Sequence, residues 1–380
     1  MFTGDRGNSK ALVAAVMRLE RFRRSRSSRR TPPAPGSGSP SARNSSELRR
    51  AVLGLLLPLY VAVGFASFIG AFHAPSPHGV KVAVVGPSAD VAPLARGISA
   101  RAKGALDISE LASVVDARRA VAERKLAAAY VPLTTPNPTI IVASAASVPL
   151  ANFVEGAFRQ EAATQGHPLA VDDVRPTPAG NAAGSANFFF IIACTLAGFL
   201  TVVMLGAVSP RLPETQRLGL IASAAVAGST VAYLIGGAGF GAFDSSFGTI
   251  IAMIGMGALY STTVALITRG LQLAAGLRGV LLASLIFIFL NLPSSGGTIP
   301  GELLPGFWRF LNHFWIGAAA VDANRSILYF DGAVVGTAVL KILAWLAAAA
   351  CVVAVPIFLA RNPQRSNARR LRGLVDKQVA

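Results

Sequence analysis

The chain has 380 residues, of which 53% are hydrophobic and 14% are charged, and its formal net charge is +17. So few charged residues in so long a chain exclude an ordinary soluble globular protein and favour a protein embedded in a membrane. The positive charge does not require a nucleic-acid partner, because a basic excess on one face is the usual consequence of membrane topology.

Residues 1–46 are predicted to be a cytoplasmic basic tail that ends in a flexible linker. Residues 8–24 place several apolar side chains on one helical face and most arginines elsewhere, which favours a helix lying on the inner leaflet. A solvated basic helix or an unstructured tail fits the same pattern equally well. Residues 25–46 are rich in Ser, Pro, Gly and Arg and cannot bury a core, so they predict the linker.

Six apolar runs are long enough to cross a bilayer, whose ~30 Å hydrocarbon core requires about 20 helical residues. In lipid every backbone N–H and C=O must be bonded within its own segment, so each run is predicted to be a helix. The runs are 51–72, 188–208, 218–240, 247–268, 277–292 and 334–360. The first belongs to a transmembrane segment, 47–72, and the others form a five-helix transmembrane block, 187–360.

A folded α/β domain is predicted between the first two runs, over residues 73–186. Short β-like stretches alternate there with helical ones, which is typical of a small α/β domain with a mixed sheet. The predicted strands are 80–86, 106–108, 127–133, 139–144 and 169–175, and the predicted helices are 89–104, 113–125 and 148–165. The predicted fold class is therefore a membrane all-α bundle of six transmembrane helices, with an α/β domain inserted between helix 1 and helix 2.

The stretch between the last two runs, residues 294–332, is too polar to cross a membrane and too apolar to be a free loop. Aromatic residues, among them Trp308, crowd a part of it that is broken by Pro300 and Pro305. Aromatic rings with polar edges prefer the boundary between membrane and water. We predict two short helices that dip into the outer leaflet as a re-entrant or interfacial element.

The distribution of basic residues predicts the orientation. The tail before the first run, the tail 361–380 and the connections 209–217 and 269–278 together hold 22 of the 35 Lys and Arg residues, but only five of the 18 Asp and Glu residues. Six crossings place all these segments on one side, and their excess equals the whole net charge of +17. Both termini are therefore predicted to be cytoplasmic and residues 73–186 extracytoplasmic. The Arg-rich tails and the Ala-, Gly- and Pro-rich composition are associated with high-GC bacteria, so a bacterial cell membrane is expected.

No motif in the sequence indicates catalysis or cofactor binding. There is no Walker-type phosphate loop, no nucleophile elbow and no zinc-protease helix. The four histidines are scattered, and the two cysteines lie within predicted spans, where a thiol packs as a small apolar group. We therefore expect no enzyme activity, no cofactor and no metal site in this chain.

Charged residues are rare inside the predicted spans, where they are costly and usually functional. Lys341 is the clear exception, and it either reaches back to the interface or lines a polar path. Asp322 and Arg325 are three residues apart and can pair on one helical face, as a plain surface pair or as part of a path. The candidates for an exit gate or substrate path are Glu302, Trp308, Arg309, Asp322, Arg325 and Lys341.

Several stretches carry a resemblance to a known family. They are VKVAVVGP (80–87), ERKLAAAYVP (123–132), NLPSSGGTIPGELLPGFWRFLNHF (291–314) and AAVDANRSILYF (319–330). Together with the order of one span, an external domain and five further spans, they resemble the membrane subunits of type-2 ABC exporters, including a Pip-like (phage-infection-protein-like) branch. The resemblance covers about residues 47–360.

This resemblance implies a permease subunit, homodimeric or heterodimeric, that exports an amphiphilic or lipid-like solute and is energised by a separate ATP-binding subunit. In that family the loop between the second and third spans contacts the ATPase, so the candidates are Arg211, Glu214 and Arg217 in SPRLPETQR (209–217). This loop is short and holds two prolines, which leaves little room for a coupling helix. The alternative is a non-transporting envelope scaffold or receptor whose external domain binds a partner or a cell-wall component.

Overall fold

The computed structural model of the protein describes residues 40–132, 137–243 and 246–361, with side chains described from residue 54 to residue 358 of those ranges. The predicted inner-leaflet helix, most of the predicted linker and the tail after residue 361 lie outside these residues. The chain divides into two units, 1–61 and 62–380.

The helices are α1 (Pro40–Phe72), α2 (Ser88–Ala102), α3 (Val114–Ala122), α4 (Val148–Thr164), α5 (Ala186–Val208), α6 (Glu214–Leu234), α7 (Phe247–Ala275), α8 (Leu277–Ser284), α9 (Asn291–Ser294), α10 (Gly306–Phe314), α11 (Ile316–Tyr329) and α12 (Val335–Arg361). The strands are β1 (Val80–Val85), β2 (Leu106–Leu111), β3 (Ala128–Val131), β4 (Thr139–Val142) and β5 (Ala170–Asp173).

Within the described ranges, six helical segments are long and apolar enough to cross a membrane, which confirms the predicted number. They are Gly54–Phe72, Ala186–Val208, Glu214–Gly239, Phe247–Ala275, Leu277–Ser294 and Val335–Phe358. The first lies in a helix that begins at Pro40, whereas the sequence places residues 40–46 in the linker. Proline is favoured in the first turn of a helix because its missing N–H needs no partner there.

The described strands form one mixed sheet of five strands, in the order β2-β1-β3-β4-β5. Strand β1 pairs in parallel with β2 and β3, β3 and β4 are antiparallel, and β4 and β5 are parallel. Helices α2 and α4 cover one face of the sheet and α3 covers the other. The predicted small mixed sheet is therefore confirmed, with Lys81 as the one exposed position of β1.

Helix α3 is shorter than predicted. The sequence predicts one helix over residues 113–125, but α3 ends at Ala122. Arg124 then takes the left-handed backbone conformation with a φ of +60°. This conformation is uncommon for residues other than glycine and asparagine, so a contact of the Arg124 side chain must favour it.

The α/β domain shares both of its cores with the segment 294–332. On one face of the sheet, the core formed with α2 and α4 includes Leu303, which is 5% exposed. On the other face, the core formed with α3 includes Phe330, which is 2% exposed. Burial of one such side chain contributes about 1.5–3 kcal/mol, so the segment and the sheet stabilise each other.

Buried hydrogen bonds join the helical bundle to the same segment. Asn291 donates to the Tyr260 hydroxyl over 2.8 Å, and that hydroxyl lies 2.7 Å from Thr195 Oγ1. The side-chain oxygen of Asn291 accepts from the backbone N–H of Gly317, near the start of α11, over 2.7 Å. Since buried polar groups are costly unless paired, this chain of bonds fixes α11 against α5 and α7.

Glycines allow the apolar helices to pack closely against one another. A Cβ on Gly198 of α5 would collide with the backbone carbonyl of Ser261 on α7. A Cβ on Gly257 of α7 would press on Phe190 and on Ser229. Gly255, two residues earlier on α7, faces open space instead. In lipid, where packing drives helix association, such contacts determine how closely helices can approach.

We expect Gly198→Ala to destabilise the protein. The added Cβ meets backbone, which cannot turn aside as a flexible side chain can, and overpacking of this kind costs about 1–3 kcal/mol. The matched control is Gly255→Ala, which we expect to be neutral or stabilising because alanine is the better helix former. Thermal unfolding of the purified protein in detergent measures both, and equal unfolding temperatures would contradict this packing.

Candidate functional site

A cavity of about 410 Å³ lies between the α/β domain and the segment 294–332, and we call it the junction cleft. Five cations and two carboxylates line it: Lys81, Arg124, Lys125, Glu302, Arg309, Asp322 and Arg325. Lys81 lies on β1, and Arg124 and Lys125 lie in the turn after α3. Glu302 precedes α10, Arg309 lies on α10, and Asp322 and Arg325 lie on α11. Residues more than 150 positions apart in the sequence therefore meet at one site.

Arg124 bridges the cleft. Its Nη2 donates to Asp322 Oδ1 over 2.9 Å, and its Nη1 donates to Ser326 Oγ over 2.9 Å. The guanidinium carbon also lies 5.5 Å from the centre of the Phe330 ring, within the range of a cation–π contact. These contacts explain why the left-handed backbone of Arg124 is tolerated, since they offset a cost of about 1–3 kcal/mol.

Arg325 is the buried cation of the cleft, with a side chain that is 9% exposed. Its Nη2 donates to the Gly296 carbonyl over 3.2 Å, while its Nη1 lies 3.9 Å from Asp322 Oδ1. Burial, followed by the nearby positive charge of Arg124, lowers the pKa of Arg325 to about 10. The residue is therefore still charged at neutral pH, and two guanidiniums share the single carboxylate of Asp322.

The remaining charges of the cleft are unequally paired. Lys125 bonds to Glu123 over 2.6 Å, and this hydrogen bond is the main cause of the lowered pKa of Glu123. Among the described residues, no side-chain hydrogen bond or ion pair is formed by Lys81 or by Arg309. The buried Nδ1 of His78, at the rim of the cleft, also has no hydrogen-bond partner there.

Four of the six residues predicted for an exit gate meet in this cleft: Glu302, Arg309, Asp322 and Arg325. Trp308 lies elsewhere, in a small apolar cluster with Ala71 and Leu304. Lys341 donates to the carbonyl of His313 over 2.9 Å and does not line the cleft. Asp322 and Arg325 share a helical face as predicted, but Arg124 is the closer partner of Asp322. Whether these residues gate an exit stays a prediction.

The sequence interpretation missed the part of the cleft that the α/β domain supplies. Lys81 is a single polar residue in an apolar strand, and Arg124 and Lys125 follow the pattern of a helix that ends earlier than expected. One available signal was the lysine inside VKVAVV, because a charge in an otherwise buried strand marks a place where that strand meets solvent or a ligand.

The three residues predicted to contact an ATPase differ in their exposure. Arg211 is exposed, Glu214 is half-buried and Arg217 is buried, with a side chain 1% exposed. Glu214 forms an ion pair with Arg269 of α7, and its carboxylate lies 3.7 Å from Arg217 Nε. Arg217 also donates to the Ser209 carbonyl over 2.8 Å. Two of the three side chains are thus engaged within the protein, and Arg211 is the one that faces outward.

An apolar groove runs along α5. A cavity of about 540 Å³ lies between the ends of α5 and α6 and is lined by aromatic rings, among them Phe189 and Phe243. The chain is π-helical beside it, at Ile235–Gly239, a feature common near functional sites. A shallow apolar surface continues along α5 from Ala193 to Leu205. Asn181, at the rim of the cavity, donates to the Tyr329 hydroxyl at the end of α11 over 3.0 Å.

No protein-family model matches the chain, and no curated protein sequence matches it. The resemblance to the membrane subunits of type-2 ABC exporters therefore stays a prediction based on layout and on short stretches of sequence.

We expect Arg124→Gln to weaken the attachment of the α/β domain to α11. The change removes hydrogen bonds to Asp322 and Ser326. A hydrogen bond to a charged group contributes about 1.5–3 kcal/mol, and the solvent exposure of Asp322 lowers that contribution. Hydrogen exchange of the α11 amides should become faster, and the unfolding temperature should fall.

The matched control for this prediction is Arg96→Gln, which removes an exposed arginine of α2 that donates to the Ala92 carbonyl of its own helix. It should change neither measurement. If Arg124→Gln and Arg96→Gln give the same exchange rates in α11, the bridge does not hold the domain.

Proposed function

We propose that the protein is the membrane permease subunit of an ATP-driven exporter in a bacterial cell membrane. Six helices suited to crossing a membrane support the membrane location. The basic excess in both tails and in the connections 209–217 and 269–278 supports a cytoplasmic location for the termini and an extracytoplasmic one for the α/β domain.

The observation that carries the proposal is that one helix, α11, connects a charged cleft with an apolar groove. The junction cleft offers charges, and the groove along α5 offers apolar surface. The two are linked through α11, whose Asp322 and Arg325 line the cleft and whose Tyr329 bonds to Asn181 at the groove. A solute with a polar head and an apolar tail fits this pair of surfaces, which favours an amphiphilic or lipid-like cargo.

The energy for export must then come from a partner. The apolar helices hold few ionisable groups, so the described residues supply no obvious relay for ion coupling. The sequence has no phosphate loop for ATP. We propose that a separate ATP-binding subunit contacts the loop 209–217, where Arg211 is an exposed charge. Two copies of this chain, or this chain and a related one, would form the pathway.

One observation favours the second candidate, a non-transporting scaffold or receptor. Glu214 and Arg217 are engaged with Arg269 and with the backbone of Ser209, which leaves Arg211 as the exposed charge of the loop. A permease needs a larger contact with its ATPase than one residue provides. In this case the exposed surface of the α/β domain would bind the partner.

Isolation of the tagged full-length protein from its native membranes tests the two candidates. We expect a nucleotide-binding protein to be isolated with it, and Arg211→Glu to reduce that amount several-fold without changing the unfolding temperature, because Arg211 is exposed. The control Arg96→Glu reverses an exposed charge on the α/β domain and should leave the amount unchanged. If the wild-type protein carries no nucleotide-binding partner, the permease proposal fails and the scaffold is favoured.

A further inference from the structure

The junction cleft has more positive charge than its own carboxylates can balance. Five cations line it and two carboxylates oppose them. Even when Lys125 is assigned to Glu123, which lies outside the cleft, four cations remain for Glu302 and Asp322. Like charges held together in a partly enclosed space repel each other, so an added anion would lower the free energy of this arrangement.

The buried cation of the cleft is incompletely bonded. A guanidinium has five N–H donors. In the part of the chain that the structure describes, Arg325 makes one hydrogen bond, to Gly296, and one longer ion contact, to Asp322. His78 adds a buried ring nitrogen without a partner at the same cavity. The remaining N–H donors of Arg325 reach the open space of the cleft, where a ligand that supplies acceptors can bond to them. The Nδ1 of His78 donates or accepts according to its tautomer, and as a donor it would bond to the same ligand.

The donor set suits a phosphate group. Arginine presents a planar fork that matches two phosphate oxygens, and lysine adds a compact charge. Arg309 and Lys81 both line the cleft and have no side-chain partner among the described residues, so both are available to bind. A phosphate group carries one or two negative charges and several acceptor oxygens, which fits an excess of two or more cations better than a single carboxylate does.

We infer that the junction cleft binds a phosphate group, held by Arg325 and Arg309 with Lys81 at the entrance. The identification of this group as the head of the exported solute rests on the proposed function, but the binding site itself does not. Two sources share this chemistry: an anionic phospholipid and a water-soluble phosphate ester. The two probes of the experiment below distinguish these sources.

The test measures equilibrium binding to the purified full-length protein in a neutral detergent. The probes are inorganic phosphate and short-chain phosphatidylglycerol, with short-chain phosphatidylcholine as the probe of zero net charge. The test variant is Lys81→Gln with Arg309→Gln, because neither side chain has a partner whose loss would disturb the fold. The matched control is Arg96→Gln with Arg159→Gln, which removes two exposed positive charges from α2 and α4, outside the cleft.

We expect saturable binding of at least one anionic probe to the wild-type protein. The test variant should bind it roughly tenfold or more weakly, while the control stays within about twofold. Binding of phosphatidylglycerol alone would identify a lipid head group, and equal binding of inorganic phosphate would identify a soluble ester.

Three results would overturn the inference. They are no saturable binding of either anionic probe, an equal loss of binding in the test variant and the control, and binding of phosphatidylcholine as strong as that of phosphatidylglycerol. None of these depends on an ATPase, so the site can fail while the permease proposal stands. Conversely, if the protein binds phosphate but is isolated without a nucleotide-binding partner, the phosphate site stands and the permease proposal fails.

Discussion

The rest of the structure depends on the attachment of the sheet to the segment 294–332. Leu303 enters the core on one face of the sheet and Phe330 enters the core on the other, so the segment holds the sheet from both sides. Backbone N–H groups of Ser76 and His78 also donate to the carbonyls of Leu303 and Glu302. Withdrawal of both side chains would cost about 3–6 kcal/mol. Any motion of the α/β domain must therefore carry α11 with it.

This attachment also explains how like charges stay close together. Arg124 and Arg325 share the carboxylate of Asp322, an arrangement that electrostatics alone would not favour. The apolar contacts of Phe330, beside the guanidinium of Arg124, supply the free energy that holds the two elements together. A fold that maintains an uncompensated charge in this way is typical of a binding site, because the ligand completes what the protein leaves unpaired.

The sequence predicts the helices well because lipid imposes one rule on each of them. The run at 188–208 corresponds to Ala186–Val208 for that reason. Strand β1 is also predictable, since its apolar run is buried on both faces. The attachment of the segment 294–332 to the sheet is not predictable, because Leu303 and Phe330 have the same apolar character whether they enter lipid or the core of a sheet. Arg124 keeps helical spacing although α3 ends before it, and only its contact with Asp322 reveals its position.

The two ends of the helical block use charge differently, and this decides where a ligand can bind. At the loop 209–217, two side-chain nitrogens of Arg217 have no hydrogen-bond partner. Arg325 likewise uses only some of its N–H donors. The Arg217 side chain is only 1% exposed, so a ligand would reach it only if α6 separated from its neighbours. Its ion cluster with Glu214 and Arg269 joins α6 to α7. Arg325 instead borders a cavity of about 410 Å³ that also holds unpaired cations, so an anion can enter without unfolding any element.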